Sequence, residues 1–456
     1  MTDQHEPMLG RSGTDADFLA RLFERSDQIL VKKLSNNDRD WARYPNKHQA
    51  GVYVPHEQRD SGFFPVLRKK ARDEPGAREI RQAYFTTIWP QTDSKEKRSR
   101  LVHYTSKGQE THVTGLPKEV FATLSPASLL IMGRLSSGKE HIYECLTIDS
   151  DSEEALLVGE LFNLSADFLV DVFEPSERKA EERDRILDFA EQVISAWQKG
   201  VLAAFAQDNA AMPSTAELAA KARQAFLNKY GLSRTNPFEL DRPGDALREI
   251  SRIIELDLFR DYQRKERAVE LVRLVLGDTR RTITAADVIR KLIDELPAID
   301  ALMLSASQQR KSRAGYSYEH HIEAMLLDGD IPFEKQVVID ARKRPDFILP
   351  SLSFIDSGTR KAKTGLILSA KTTLRERWKQ VEREKGKRRL FLTTVDENIA
   401  SSSIEDMASF GVHLVIPESL RLSKETEYKN HENVVSFKEF CTTVVRPNLG
   451  VWAAEV

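Results

Sequence analysis

At 456 residues the chain is too long for one ordinary core, and two or three domains are expected. Its 40% hydrophobic and 30% charged residues are the balance of a soluble globular protein. A formal net charge of −2 excludes a uniformly basic surface, so any face for a polyanion has to come from local clusters of Lys and Arg.

The start, Met1 to Asp15, is polar and reads as a loose tail, not a signal peptide. No apolar run approaches the ~18 residues of a membrane span. The two cysteines, Cys145 and Cys441, are too far apart for a disulfide framework and fit a reducing compartment, so a cytoplasmic protein without membrane contact is expected. From Asp17 the spacing of Phe18, Leu19, Leu22 and Phe23 predicts a helix, followed by a strand around Ile29 to Val31 and a polar turn, Lys32 to Asp38, that carries the two cations Lys32 and Lys33. His48 to Pro55 reads as a loop entering a strand. Further short strands are predicted at Tyr84–Trp89, Ser99–Tyr104, Ser128–Arg134 and His141–Ile148. Strands this short, this closely spaced, favour a small barrel or open sheet. Within it, Asp93 to Arg100 is the most charged corner. Lys95, Lys97 and Arg98 can meet phosphates there, and Glu96 can accept from cytosine. The same residues equally describe a solvated edge strand kept from aggregating by its charges.

Glu177 to Gln207 is helical in period, with Ile186, Phe189, Val193 and Trp197 on one stripe. Small polar residues from Asp208 to Ser214 mark a boundary before a helix from Thr215 to Tyr230. Helices from Ile254 to Leu276 and on to Leu296, the latter capped by Thr284, read as structural. The domains are therefore set at 1–180, 181–212 as a helical linker, and 213–456.

The chemistry lies in the last part. Ser305 to Arg313 is a basic loop, with Arg310 and Lys311, ahead of a helix beginning near Ser317. Tyr318, Ile322, Met325 and Leu326 form its apolar face, and Glu319 beside them is either an ordinary first-turn acid or a group aimed at a strand-tip cluster. His320 and His321 are adjacent, point apart on a helix and read as surface residues. Strands follow at Gln336–Asp340, Asp346–Leu349, Gly365–Ala370, Leu390–Thr393 and Val412–Ile416, with a helix from Leu374 to about Lys385 whose Trp378 reads as core. This is an α/β arrangement. Asp346 starts one strand and Lys371 ends another, and such neighbouring tips can hold a divalent cation and activate water against a phosphodiester. Nucleases with Pro-Asp and then Asp/Glu-x-Lys carry an acid two residues before the lysine. Ser369 stands there and is no substitute. Glu384, thirteen residues after Lys371 and three after Val381 on the same helix, is the nearest replacement. Lys371 to Arg389 holds nine Lys or Arg and three Glu. Arg375-Glu376-Arg377 can read G·C pairs through guanine O6/N7 and cytosine N4, or can be an exposed salt-bridged helix face.

These residues carry a resemblance. Arg310 to Gly315 with Ser317-Tyr318-Glu319, Arg344-Pro345-Asp346-Phe347, Ala370-Lys371-Thr372-Thr373 and Arg377-Trp378-Lys379-Gln380 are similar to the catalytic domain of the EcoRII-like restriction endonucleases. His48 to Pro55 and Glu96-Lys97-Arg98 resemble the B3-like effector domain of that family. The resemblance implies a PD-(D/E)XK α/β core preceded by a β-rich B3-like pseudobarrel, and a type II, Mg²⁺-dependent endonuclease acting as a homodimer. It implies that Asp346 and Glu384 hold the metal, that Lys371 serves phosphate and water, and that Glu319 is an accessory acid. By the same resemblance Arg375, Glu376 and Arg377 read C·G pairs of a short interrupted CCWGG-like site in double-stranded DNA, and the N-terminal domain binds a further copy of the site and controls the cleaving dimer. Two other readings stand beside it. One is a non-cutting DNA-binding regulator. The other is a nuclease for modified DNA; no aromatic cage stands out between Lys32 and Tyr104, and Trp41 and Tyr44 are the residues that keep this reading open.

Overall fold

The computed structural model describes residues 13–44, 51–70, 79–105, 108, 110–135, 140–277, 284–338, 344–374, 378–379 and 388–453, with backbone alone at 160, 179, 181–186 and 303–316. The chain divides into two units: residues 1–180 with 397–400 and 423–427, and residues 181–396, 401–422 and 428–456.

Unit 1 is built on nine strands among the described residues. Helix α1 (Asp15–Arg25), capped by Thr14, leads into β1 (Ser26–Lys33). Helix α2 (Asn36–Arg43) comes next, then β2 (Val52–Val54), α3 (His56–Asp60), β3 (Arg68–Lys69), β4 (Ile80–Trp89), β5 (Lys95–Tyr104), β6 (Thr111–Thr114), β7 (Leu129–Leu135), β8 (Ile142–Ile148), α4 (Glu153–Leu161) and β9 (Val170–Phe173). The sheet runs β2-β6-β5-β4-β8-β7-β1-β9, with β3 added to β4. All neighbours are antiparallel except β4 and β8. Ile29-Leu30-Val31 and Leu129 to Met132 are unbroken apolar runs because these strands are covered on both faces. Leu30, Leu130 and Met132 face one core with Trp89, Phe121 and Tyr143, while Ile29, Val31, Leu129 and Ile131 face a second beneath α1 and α4. The hairpin of β4 and β5 turns at Asp93 and Ser94, both with φ of 56°. The polar stretch after Lys33 is not a turn throughout. Ser35 caps α2, and Asp38 closes a reciprocal capping box with it.

Unit 2 has a helical layer and a sheet. Helix α5 (Pro175–Lys199) crosses the 180/181 boundary and is followed by α6 (Leu202–Asn209), α7 (Thr215–Tyr230), α8 (Pro243–Glu249), α9 (Glu255–Leu276), α10 (Ala285–Asp294) and α11 (Leu296–Asp328). The stretch expected as a linker packs within this layer, where Val193, Ala196, Leu202 and Ala210 share a core with Val269 of α9. The basic segment from Ser305 to Arg313 is helical backbone inside α11, not a loop. Six strands follow: β10 (Glu334–Lys335), β11 (Phe347–Leu349), β12 (Leu366–Ala370), β13 (Arg389–Thr393), β14 (Val412–Ile416) and β15 (Val434–Ser436), in spatial order β10 to β15. The first three are antiparallel and β12 to β15 are parallel. Of the strand expected at Gln336–Asp340, residues 339–340 lie outside the described residues; the described strand is Glu334–Lys335, and Gln336 after it adopts a left-handed φ of 52°. One face of β11 and β12 packs against Tyr318, Ile322, Met325 and Leu326 of α11. Both cysteines are free and buried, Cys145 in unit 1 and Cys441 in unit 2.

Candidate active site

Asp346 lies one residue ahead of β11 and is 7% exposed. Phe347 pairs with Leu368, so one step further along the register Asp346 faces Ser369. Its Oδ2 accepts the backbone N–H of Ala370 at 2.8 Å and the ammonium of Lys371 at 2.8 Å. Lys371 leaves the end of β12 with its own N–H donated to the Thr393 carbonyl at 3.0 Å. The strands thus deliver an acid and a base to adjacent tips, with backbone bonds setting both.

Glu319 comes from the opposite layer. It sits on α11, one residue after Tyr318, whose phenol meets Thr393 Oγ1 at 2.9 Å. Gln336 donates its side-chain amide to Glu319 at 3.4 Å and its backbone N–H to the Asp346 carbonyl at 3.1 Å, so it spans the two acids. Burial raises the Glu319 carboxyl above the ordinary glutamate value, and the charge of Asp346 raises it further, while Lys371 pulls the other way. Gln336 and Thr393 are neighbours that the motifs did not reveal, and Tyr318 stood in them without a role. Only Tyr318 carries a signal, a polar tip within an otherwise apolar stripe.

Other expected residues fall elsewhere. Glu384, Arg375, Glu376 and Arg377 lie outside the described residues, as do the side chains of Arg310 and Lys311. Lys95, Glu96 and Arg98 are exposed at the start of β5 and Lys97 is half-buried; the Arg98 guanidinium lies 4.4 Å from the Tyr84 ring. Lys33 is not a free surface cation. It is nearly enclosed, paired with Glu397 at 2.8 Å and donating to the Ala166 carbonyl at 3.0 Å. Trp41 is core, packed on Phe121 with its indole N–H on the Asp38 carbonyl, which removes it from any reading pocket; Tyr44 is exposed. His321 is also not on the surface. Successive helical residues diverge by about 100°, and His321 takes the inward direction, where its Nε2 meets Glu255 at 2.5 Å. Trp378 is buried, as expected.

A mixed sheet thus sets an acid and a lysine at adjacent strand tips, with a helix-borne acid beside them, in an α/β core. Residues 278–441 match the family model described as EcoRII C terminal, and the similarity is to that stretch. The type II restriction enzyme EcoRII of Escherichia coli is 34% identical over 136 residues, 29% of this chain and 34% of that one. The type II restriction enzyme SsoII of Shigella sonnei is 29% identical over 188 residues, 38% of this chain and 60% of that one. The matches therefore span 34% and 60% of these relatives' lengths. Among solved structures, metal-depleted Ecl18kI in complex with uncleaved, modified DNA aligns at a TM-score of 0.46 and 21% identity, covering 59% of this chain and 85% of that one. Among the described residues no helix is long and apolar enough to cross a membrane.

Proposed function

We propose that the chain is a type II restriction endonuclease hydrolysing double-stranded DNA at a short G·C-flanked interrupted site, with Mg²⁺ held by Asp346 and Glu384. The observation that carries this reading is the Asp346–Lys371 contact at the tips of β11 and β12 with Glu319 alongside. Both curated relatives are named type II restriction enzymes. The donor set suits the cation. Its members, Asp346 and Glu384, are carboxylates and so hard oxygens, and beside them the Asp346 charge raises the proton affinity of Glu319, a repulsion that a divalent cation would relieve.

A cation held by Asp346 and Glu384 would supply Lewis-acid polarisation of the phosphodiester and an activated water. The chain's own groups do the rest. The Ala370 N–H orients the Asp346 carboxylate. Lys371, anchored on Asp346 yet 28% exposed, offers its ammonium to the charge that develops on the phosphate. Glu319 holds a proton more readily than an ordinary carboxylate and suits acid–base exchange beside the reacting water. Arg375, Glu376 and Arg377 read G·C pairs in this proposal, and Arg310 and Lys311 contact the backbone. Residues 1–180 act as a B3-like effector domain on a further copy of the site, with Lys95, Glu96 and Arg98 exposed for it. A homodimer is supported by the apolar strip of Ile289, Ile293 and Leu296, each more than half exposed.

The test is incubation of the purified chain with unmethylated phage DNA in Mg²⁺ or in EDTA, followed by end-sequencing. Discrete Mg²⁺-dependent fragments sharing one short site are expected. DNA that is bound but never cut would replace the endonuclease with a regulator.

A further inference from the structure

Thr393, at the end of β13, is 1% exposed and uses both of its polar oxygens towards the site. Its carbonyl accepts the backbone N–H of Lys371 at 3.0 Å, and its hydroxyl meets the Tyr318 phenol at 2.9 Å. Tyr318 is also 1% exposed, set among Ile322, Met325, Phe347 and Leu368, where a phenol without a partner is costly. Glu319 follows Tyr318 directly, so a slide or roll of α11 against the sheet moves Glu319 relative to Asp346. The parallel register sets Ala370 beside Thr393, so the same residue also references the end of β12.

We propose that Thr393 is a positioning residue for the acid–lysine cluster: its carbonyl fixes Lys371 at the tip of β12, and its hydroxyl fixes, through Tyr318, the turn of α11 that carries Glu319. The inference rests on reading that cluster as the reaction site. Thr393 touches no substrate in this scheme and acts through the two residues that it holds. Valine at 393 keeps the shape but leaves the Tyr318 phenol unpaired, so α11 loses its reference to β13. Serine keeps the hydroxyl.

The experiment uses the full chain as wild type, Thr393→Val, Thr393→Ser and Tyr318→Phe, the last being the mildest change to packing. Three quantities are read: single-turnover cleavage in saturating Mg²⁺, DNA affinity in EDTA, and Mn²⁺ affinity without DNA by calorimetry. Thr393→Val and Tyr318→Phe are expected to lower the cleavage rate by about ten- to a hundredfold, the range for partners that orient a metal site. DNA affinity should stay unchanged, and Thr393→Ser should recover most of the rate. Because both single variants break one contact, the double variant should be no slower than the worse single one. Wild-type rates in both Thr393→Val and Tyr318→Phe would overturn the proposal, as would a Thr393→Ser variant as slow as Thr393→Val, which would reduce the residue to a packing role. A wild type that binds Mn²⁺ but does not cut would discard the endonuclease alone. Mn²⁺ affinity then decides, with a loss in Thr393→Val restored by Thr393→Ser upholding the positioning role and equal affinities removing it. A chain that neither cuts nor binds Mn²⁺ would overturn both.

Discussion

Asp38 with Lys32 in unit 1 and Asp346 with Lys371 in unit 2 are the same two side chains at similar separations, 3.1 and 2.8 Å. Their surroundings differ. Asp38 is fully enclosed, with Oδ2 accepting the Ser35 N–H and hydroxyl as well as Lys32, and Oδ1 accepting the Tyr53 N–H. Among the described residues both side-chain bonds of Asp346 go to Oδ2, and Lys371 is 28% exposed against 7% for Lys32. The first pair is closed and fastens α2 to β2. The second is open on its lysine side. Residue type and distance alone do not separate the structural ion pair from the proposed reaction site; saturation of the carboxylate and exposure of its partner do.

Breaking each pair tests the contrast. Asp346→Ala is expected to remove Mg²⁺-dependent cutting, by roughly 10³-fold or more in a single-turnover assay, while DNA affinity in EDTA and the denaturation midpoint barely change. Residual cutting near the wild-type rate would place the reaction elsewhere. Asp38→Ala should do the reverse. It leaves the Lys32 charge buried without its partner, at a cost of about 3–5 kcal/mol in urea unfolding, and folded molecules should still cut normally. A stability change below 1 kcal/mol would show that the Asp38 network relaxes into water.

Smaller effects sharpen the picture. Burial and the Asp346 charge shift Glu319 ionisation to higher pH than that of an ordinary glutamate, so the rise of cleavage with pH should be displaced upward. Glu319→Gln should cut more slowly and lose this limb of the rate–pH profile; an unchanged limb would assign it to another group. The smallest effect concerns His321. Burial lowers its proton affinity despite the Glu255 contact, so between its depressed folded value and the ordinary 6.5 the unfolded chain binds more protons. The neutral ring thus contributes stability that is complete above 6.5 and lost as pH falls through the folded value. His321→Gln should flatten that slope in urea titrations at descending pH, and an unaltered slope would remove His321 as its source.

Much of the sheet in unit 2 was legible in the sequence. The strand expected at Val412–Ile416 matches β14, and Gly365–Ala370 and Leu390–Thr393 fall within a residue of β12 and β13, because these apolar runs are buried on both faces. Strand β15 escaped notice, since Val434 and Val435 are too few for a pattern among His431, Glu432 and Asn433. Helix α2 was hidden by Asn36-Asn37-Asp38, which favours turns until Ser35 caps it. At the site, Asp346, Lys371 and Glu319 were legible as charges beside apolar periodicity. Gln336 and Thr393 were not, because their contribution comes from a left-handed backbone and from a register between strands that no local pattern encodes.

One consequence follows from the two cysteines. Each unit holds one buried thiol, Cys145 in the first and Cys441 in the second, and burial pushes both well above the ordinary thiol range. Neither should react with an alkylating reagent until its surroundings open. The native chain is thus its own two-channel recorder: peptide mass distinguishes the two adducts, and their order of appearance in rising urea gives the order in which the units come apart.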